Sequence, residues 1–367
     1  MSLKAGIVGL PNVGKSTLFS ALTKMKVESA NYAFTTIEPN ISIVELKDKR
    51  LDKLAEFVKP EKILPTTFTF VDIAGLVKGA SQGEGLGNKF LSNIREVDAI
   101  IQFVRCFDNK DILHVANEIN PKNDVGVINL ELLLADMQVI ENVLKRIEKK
   151  ALNSTDKNLK AEYQVALKLK QAFSQNQAAR DLSLTEEELK IIKGYQLLTL
   201  KPILYVANID QKDIENPLNN KHYQSLVQLA SEFNNLVLPI SIQLEYEISQ
   251  LEDQDKQMFL DEYKLEYSGL EILTREAFFL LNLATYFTAG VKEVRAWTFT
   301  KGMLAPQCAG IIHSDFENKF IKAEIISYDD YVSSGGEKNA KDQGKMRLEG
   351  KTYIMQDGDI CVFKFGK

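Results

Sequence analysis

Cysteine is scarce in this chain: 367 residues include three, Cys106, Cys308 and Cys361, an odd number, widely spaced and without a CxxC pair. That argues against a disulfide framework or a zinc cluster and for a reducing compartment. No apolar run approaches the ~18 residues a membrane span needs. Met1-Ser2-Leu3-Lys4-Ala5 leads straight into a short apolar strand pattern, so a soluble, cytoplasmic protein that engages no membrane is expected. A dominant charge sign is also missing, since 45 Lys and Arg face 50 Asp and Glu, a net of −5. A generally basic nucleic-acid coat is thereby excluded, DNA is not expected as a partner, and any polyanion must meet a local patch. With 20 Gly and 9 Pro the chain is neither collagen-like nor low-complexity, and it carries no internal repeat. What is present is ordinary globular material, 45% apolar and 26% charged, long enough at roughly 150 residues per domain for two or three domains.

The apolar runs define the organisation. Ala5–Val8, Ile41–Leu46, Thr67–Val71 and Ala99–Val104 alternate with Gly-rich or helical stretches, which predicts a mostly parallel, doubly wound α/β sheet. From Leu130 the pattern changes: Leu130, Leu133, Met137, Ile140, Leu144, Ile147 and Ala151 recur at steps of three and four, the seam of a long helix paired with another. After the polar loop Asn153–Asp156, a second helix bearing Leu159, Tyr163, Ala166, Leu169 and Phe173 is predicted to run antiparallel to it. Thr185 with Glu188 forms a capping box for a third, which Gly194 can close. Strand patterns resume at Pro202–Ala207 and Leu236–Ile240, so the helices are an insertion within the sheet domain. Short strands at Val294–Phe299, Phe320–Ile326 and Ile360–Phe365, separated by turns, read as a small C-terminal α+β domain. The expected division is a nucleotide-binding domain at 1–125 and 200–280, an inserted helical domain at 126–199, and a third domain at 281–367.

Gly9-Leu10-Pro11-Asn12-Val13-Gly14-Lys15-Ser16-Thr17 matches GxxxxGK[ST], after a predicted strand and before a predicted helix from Leu18 to Lys24. In such a loop consecutive backbone N–H groups, here from Asn12, Val13, Gly14, Lys15, Ser16 and Thr17, turn towards phosphates with the positive end of the helix behind them. The lysine, Lys15, reaches the β- and γ-phosphates and the hydroxyl of Ser16 is offered to Mg²⁺. Asp72-Ile73-Ala74-Gly75 follows a strand as a DxxG element: the Asp72 carboxylate can serve Mg²⁺ and the Gly75 N–H the γ-phosphate. Between the two, Asn31–Asn40 carries Thr36, a threonine able to complete the Mg²⁺ shell in the nucleotide-bound state. These three elements in this order predict a switch-type NTPase.

The segments Thr35-Thr36-Ile37-Glu38-Pro39-Asn40 and Gly79–Asn88 resemble the Obg-related GTPases, and within them the YchF, or Obg-like ATPase, subfamily. Phe103–Phe107, the helical insertion and a C-terminal block similar to the TGS domain, with Ala289-Gly290, Arg295-Ala296-Trp297-Thr298 and His313–Phe316, extend the resemblance over essentially the whole chain. The resemblance implies ATP binding and hydrolysis alongside or in preference to GTP, Mg²⁺ dependence, and association with ribosomes.

Where GTPases place NKxD, this chain reads Asn208-Ile209-Asp210-Gln211. The lysine position is Ile209 and the carboxylate position Gln211, so the acceptor pair for guanine N1–H and its 2-amino group is missing, and weak guanine selectivity is expected. A Gln amide offers both a donor and an acceptor, which can suit an adenine edge. The alternative, a plain polar turn, stays open, and Ser241-Ile242-Gln243 falls where a last base-contacting loop would lie. Leu76 follows DxxG where many switch GTPases carry a water-orienting glutamine, which predicts slow hydrolysis. His114 is a candidate polar group for that step, against the alternative of a packed or surface histidine. Asn12 can hold a monovalent cation such as K⁺ beside the phosphates or simply hydrogen-bond within the loop. In the C-terminal domain Lys338, Lys341, Lys345, Arg347 and Lys351 outnumber Asp342 and Glu349, a candidate ribosomal-RNA footprint or a solvated loop. The reading that results is a monomeric, ribosome-associated ATPase, with GTP also a substrate. Two rivals stand beside it, a nucleotide-gated RNA- or ribosome-binding module with negligible turnover and a metabolic P-loop kinase.

Overall fold

The computed structural model describes residues 3–24, 40–73, 86–109 and 118–366. The strands are β1 (Lys4–Gly9), β2 (Ile41–Leu46), β3 (Lys62–Leu64), β4 (Thr66–Asp72), β5 (Ala99–Arg105), β6 (Ile203–Asn208), β7 (Val237–Ile240), β8 (Leu283–Ala289), β9 (Glu293–Thr300), β10 (Phe320–Ser327), β11 (Arg347–Glu349) and β12 (Asp359–Phe365). The helices used below are α1 (Lys15–Lys24), α2 (Lys49–Val58), α3 (Leu86–Arg95), α4 (Pro121–Asn153), α5 (Lys157–Ser174), α6 (Glu186–Ile192), α7 (Lys221–Ser231) and α8 (Ile242–Ile248). The chain divides into two compact units, one of residues 1–42 and 69–273, the other of residues 43–68 and 274–367.

One six-stranded sheet has the order β2-β4-β1-β5-β6-β7. β4, β1, β5, β6 and β7 run parallel, with Lys4 opposite Thr69, Ala5 opposite Ala99, Ile100 opposite Ile203 and Tyr205 opposite Val237. Every residue of β5 and β6 is buried, as a strand covered on both faces requires. This is the open, mostly parallel sheet that the alternation of apolar runs predicts. β1 lies between β4 and β5, so the loop leaving its carboxyl end sits at the position where doubly wound sheets bind ligands.

Between β5 and β6 the chain makes the helical excursion. α4 opens with Asn120 accepting from the Asn123 N–H at 3.2 Å and with Pro121 in its first turn, the preferred chemistry for a helix start. Leu133, Ile140, Val143, Leu144 and Ile147 of α4 bury against Val165, Ala166, Leu169 and Phe173 of α5. The seam is the one the spacing predicts except at its start, where Leu130 is 47% exposed. α6 begins with the expected capping box of Thr185 and Glu188. Its end differs from expectation: the chain tightens into a short 3₁₀ turn at Lys193–Tyr195, and the left-handed residue there is Gln196, φ 50°, rather than Gly194.

In the other unit the six-stranded sheet has the order β11-β10-β12-β8-β9-β3 and mixes antiparallel pairs with the parallel pairs β12–β8 and β3–β9. Its cores are formed by Tyr286, Phe299, Phe320, Ile325 and Phe363 in one cluster and by Leu51, Leu54, Phe287, Val294 and Tyr331 in another. Residues 43–68 thus belong with the C-terminal strands, a grouping that differs from the division expected at 281. The cause is long-range: Leu51 and Leu54 of α2 have their apolar partners on β8 and β9.

Candidate functional site

The loop after β1 turns sharply because two of its residues occupy the left-handed region, Asn12 at φ 64° and Gly14 at φ 97°. Asn tolerates that conformation and Gly adopts it freely. Gly14 is also required by space, since a Cβ there would lie 2.7 Å from Asn208 Nδ2. α1 then starts at Lys15 with no acidic residue in its first turn, so nothing opposes the positive end of its dipole.

Lys15 and Asp72 come together at this point. Lys15 Nζ lies 3.0 Å from Asp72 Oδ1 and donates to the Ile73 carbonyl at the end of β4. Oδ1 is buried and takes no aligned hydrogen bond, which leaves a carboxylate oxygen with capacity for a cation. Ser16, at the second position of α1, is exposed. The Gly-rich loop, Lys15, Ser16 and Thr17 form one side of a cavity of about 1010 Å³. Thr36, Gly75, Leu76 and His114 lie outside the described residues, as does most of the run from Gly79 to Asn88.

The far side of the cavity carries Asn208, Ile209, Asp210, Gln211 and Ser241, all five within the segments that the sequence places there. Their side chains are used differently. Asn208 is a latch: Nδ2 donates to the Val13 carbonyl at 2.9 Å, and Oδ1 accepts from the Ile242 N–H at 3.2 Å. It ties the end of β6 to the phosphate loop and to the start of α8. Val13 itself is buried, with its carbonyl committed to that latch. Ile209 is 2% exposed and its N–H is held by the Ile240 carbonyl, so it gives the cavity little surface. Ser241 is buried and caps α8. Asp210 caps the turn Gln211–Asp213 by accepting from the Lys212 N–H at 3.3 Å. Gln211 is half-buried, and its Nε2 donates to the Tyr263 hydroxyl, so Oε1 and the second amide hydrogen have capacity for a ligand.

Comparison with known proteins decides the relationship. Residues 4–135 match a family model described as "50S ribosome-binding GTPase", and residues 283–366 match the C-terminal model of the YchF GTPases, described as a protein of unknown function. A "Ribosome-binding ATPase YchF" of Bacillus subtilis is 53% identical over 365 residues, covering 100% of both chains. The protein of the same description from Escherichia coli O157:H7 is 51% identical over 365 residues, covering 100% of this chain and 99% of its own. A solved structure of the Schizosaccharomyces pombe YchF GTPase superposes with a TM-score of 0.89 at 38% identity, covering 99% of this chain and 98% of that one. The chain belongs to the YchF family.

In this YchF chain three site features escape sequence reasoning. Phe107 and Asn109 line the cavity from the loop after β5. That loop is shaped by the buried Arg105, which donates to the carbonyls of Phe107 at 3.2 Å and Asn109 at 2.9 Å and places its guanidinium over the Phe107 ring. The run Phe103–Phe107 carries family resemblance, but nothing in its spacing announces the burial of Arg105 or its two hydrogen bonds. Tyr263 is the third: it sits 52 residues beyond Gln211, just past the helix Asp253–Glu262, where its ring packs on Phe259. Among the described residues no cluster of three or more His, Cys, Asp or Glu side chains could hold a metal, and no helix is long and apolar enough to cross a membrane. Cys106, Cys308 and Cys361 are free and buried.

Proposed function

We propose that this chain is a ribosome-binding, Mg²⁺-dependent ATPase of the cytoplasm, acting as a monomer, with GTP a poorer substrate. The observation that carries the reading is the Lys15–Asp72 pair at the mouth of a glycine-turned loop, in a chain that matches ribosome-binding YchF ATPases from end to end. The fit to a metal–nucleotide pair rests on chemistry. Asp72 Oδ1 has spare acceptor capacity, the Ser16 hydroxyl is open at the start of α1, and the positive φ of Asn12 and Gly14 turns backbone N–H groups outward. Ser16, Asp72 and Thr36 would hold Mg²⁺, which when bound neutralises phosphate charge. Lys15 exchanges Asp72 and the Ile73 carbonyl for phosphate oxygens, a swap between two anionic partners that keeps its ammonium paired throughout. Gly75 and His114 serve the γ-phosphate side, Asn12 serves the phosphates or a K⁺ ion, and Asn208, Ile209, Gln211 and Ser241 form the base side. Nucleotide binding falls to residues 1–125 and 200–280 apart from 43–68, which group with the TGS-like part at 281–367, and partner contact falls to that part and the helical part at 126–199.

Base choice follows from Gln211. With Nε2 bonded to Tyr263, Oε1 can accept from an exocyclic amine such as that of adenine, while the carboxylate that would accept from guanine N1–H and its 2-amino group is missing. The test is Lys15→Ala measured for ATP affinity, single-turnover hydrolysis and ribosome co-sedimentation in ATP, ADP and GTP. Binding and turnover are expected to be lost with the circular dichroism spectrum unchanged, because Lys15 lines a cavity rather than a core. Unchanged hydrolysis would refute the site, and wild-type protein that never sediments with ribosomes would refute the partner.

A further inference from the structure

We infer that Arg105 is a positioning residue for nucleotide binding: it fixes the loop Phe107–Asn109 as a wall of the cavity before any ligand arrives. The inference rests on the nucleotide-binding part of the proposed function. Arg105 ends β5, is 1% exposed and is among the largest fully buried side chains of the described residues. Because β5 lies between β1 and β6, the loop that leaves it emerges between the phosphate loop and Asn208. Phe107 and Asn109 line the cavity together with residues of both. The sheet stops just short of them: the Cys106 N–H donates to the Asn208 carbonyl at 2.8 Å, and the Cys106 carbonyl accepts from Asn220 Nδ2 at 2.8 Å. Residues 107–109 belong to no strand or helix. The guanidinium holds them from within, Nε donating to the Phe107 carbonyl at 3.2 Å and Nη2 to the Asn109 carbonyl at 2.9 Å, with Cζ 4.6 Å from the Phe107 ring centroid.

Packing alone does not call for a cation at this place. A buried guanidinium is costly unless its charge is answered and its donors are used, and Phe103 and Val104 already give the end of β5 buried apolar side chains. The charge is answered by Asp124, buried in the first turn of α4, and by Asp108 in the loop itself; both carboxylates favour the ionised form that burial disfavours. Two of the donors are spent on the backbone of one short loop, a use in which a guanidinium differs from an ammonium. Its planar fork reaches two carbonyls at once and its flat face supports a ring, whereas lysine offers a single mobile point charge. A wall held in this way is ordered in the free protein, so a nucleotide loses no affinity to ordering it. Such a contribution is made to ground state and transition state alike, and it therefore appears in affinity and not in kcat.

The experiment measures Kd for ATP and ADP, and KM and kcat for ATP, in the full-length chain and in Arg105→Lys, Phe107→Ala, the double variant and a control, Arg180→Lys. Lysine at 105 keeps the charge that Asp124 answers and gives up the fork. Arg180 is a matched control because its guanidinium also donates to two backbone carbonyls, those of Thr199 at 3.1 Å and Lys201 at 3.2 Å, and neither it nor they line the cavity. Arg105→Lys is expected to raise both Kd values and KM by about 3- to 10-fold, the range that ordering one or two side chains on binding costs, with kcat unchanged. Phe107→Ala should raise them by itself, and the double variant should rise by less than the product of the two factors, because both residues act through one wall. Arg180→Lys should leave every value at that of the wild type. Wild-type affinity in Arg105→Lys overturns the assignment, as does an equal rise in Arg180→Lys, which would mark a general loss of stability. A fall in kcat with Kd unchanged, or full additivity in the double variant, overturns it too. Phe107→Ala, at a half-buried loop position, decides the question even where Arg105→Lys does not fold: unchanged Kd values there leave Arg105 nothing to position. Wild-type protein that binds neither nucleotide would instead strike the proposed function.

Discussion

Gln211 lines the cavity with its side chain anchored by a residue far along the chain. Its amide carries a donor end and an acceptor end, and the hydrogen bond from Nε2 to the Tyr263 hydroxyl anchors the side chain at the cavity. If Gln211 contacts the base as proposed, Tyr263→Phe should release the anchored amide and change the ratio of ATP to GTP affinity, by up to the roughly 1–3 kcal/mol that a good bidentate base contact is worth, in competition titrations that leave phosphate binding intact. A preference unmoved by the change would assign base choice to backbone groups. Glu245 offers a second residue-scale test away from the cavity. Burial pushes its carboxyl up to about 7, against the pull of the Leu270 and Gly269 N–H groups that it accepts at 3.1 and 2.7 Å. The folded state thus favours the protonated acid, so this group's contribution to stability is full below about pH 4.5 and is lost as pH rises through about 7. Glu245→Gln should flatten that fall, by at most about 3 kcal/mol across the window, in denaturant midpoints compared at matched pH. A difference between the two proteins that does not change with pH would show that Glu245 is ionised throughout. Neither Tyr263 nor Glu245 belongs to a sequence motif. The phosphate loop was legible because its chemistry needs fixed residue types at fixed spacing, whereas these two act through partners 52 and 24 residues away.

At the scale of elements, legibility followed periodicity. The strands β1, β2, β4, β5, β6 and β7 and the pairing of α4 with α5 could be read because apolar residues recur with the period of the structure they form. β3, Lys62–Leu64, could not: three residues with two exposed have no pattern, and the strand exists because β9 offers it an edge, Lys62 opposite Glu293. Leu130 misleads for a related reason, as it continues the seam of α4 one turn before α5 is there to cover it. The helical excursion is joined to the returning chain by a polar device that periodicity also misses. Asp136, 1% exposed on α4, accepts from the N–H groups of Leu198 and Thr199 at 2.9 and 2.7 Å and from the Thr199 hydroxyl at 2.6 Å. Burial raises its pKa while the Thr199 and Leu198 donors oppose the rise. Asp136→Ala strands these buried donors at about 1–3 kcal/mol each, so faster hydrogen exchange at Leu198 and Thr199 and a loss of at least about 3 kcal/mol are expected. Asp136→Asn, which keeps an acceptor oxygen, should recover part of that loss. If alanine and asparagine behave alike, the link is packing rather than hydrogen bonding.

For the whole molecule, the consequential feature is that residues 43–68 group with the C-terminal strands although they lie between β2 and β4 in sequence. α2 reads from its sequence as an ordinary amphipathic helix, and nothing local says which sheet it will cover. Its partners fix the answer. Leu51 and Leu54, 3% and 0% exposed, pack with Phe287, Val294 and Ala296. Arg50 pairs with Asp357 at 2.7 Å, and Asp357 in turn accepts from the Thr285 N–H at 2.9 Å. A C-terminal domain beginning near 281 and separable from the rest would leave a shortened chain soluble and able to bind ATP. The packing argues otherwise. A chain ending at residue 282 keeps α2 but loses every strand its apolar face covers, and each re-exposed leucine forfeits about 1.5–3 kcal/mol of burial. That chain should bind a hydrophobic dye and self-associate in light scattering, and Leu51→Gln/Leu54→Gln introduced into it should restore a monodisperse, ATP-binding protein by removing the orphaned surface. The same double substitution in the full-length chain should destabilise it, because there the leucines are buried. A shortened chain that is monodisperse without the substitutions would show that α2 finds another cover, and the grouping of residues 43–68 with the C-terminal strands would then be a preference of the intact chain rather than a requirement for folding.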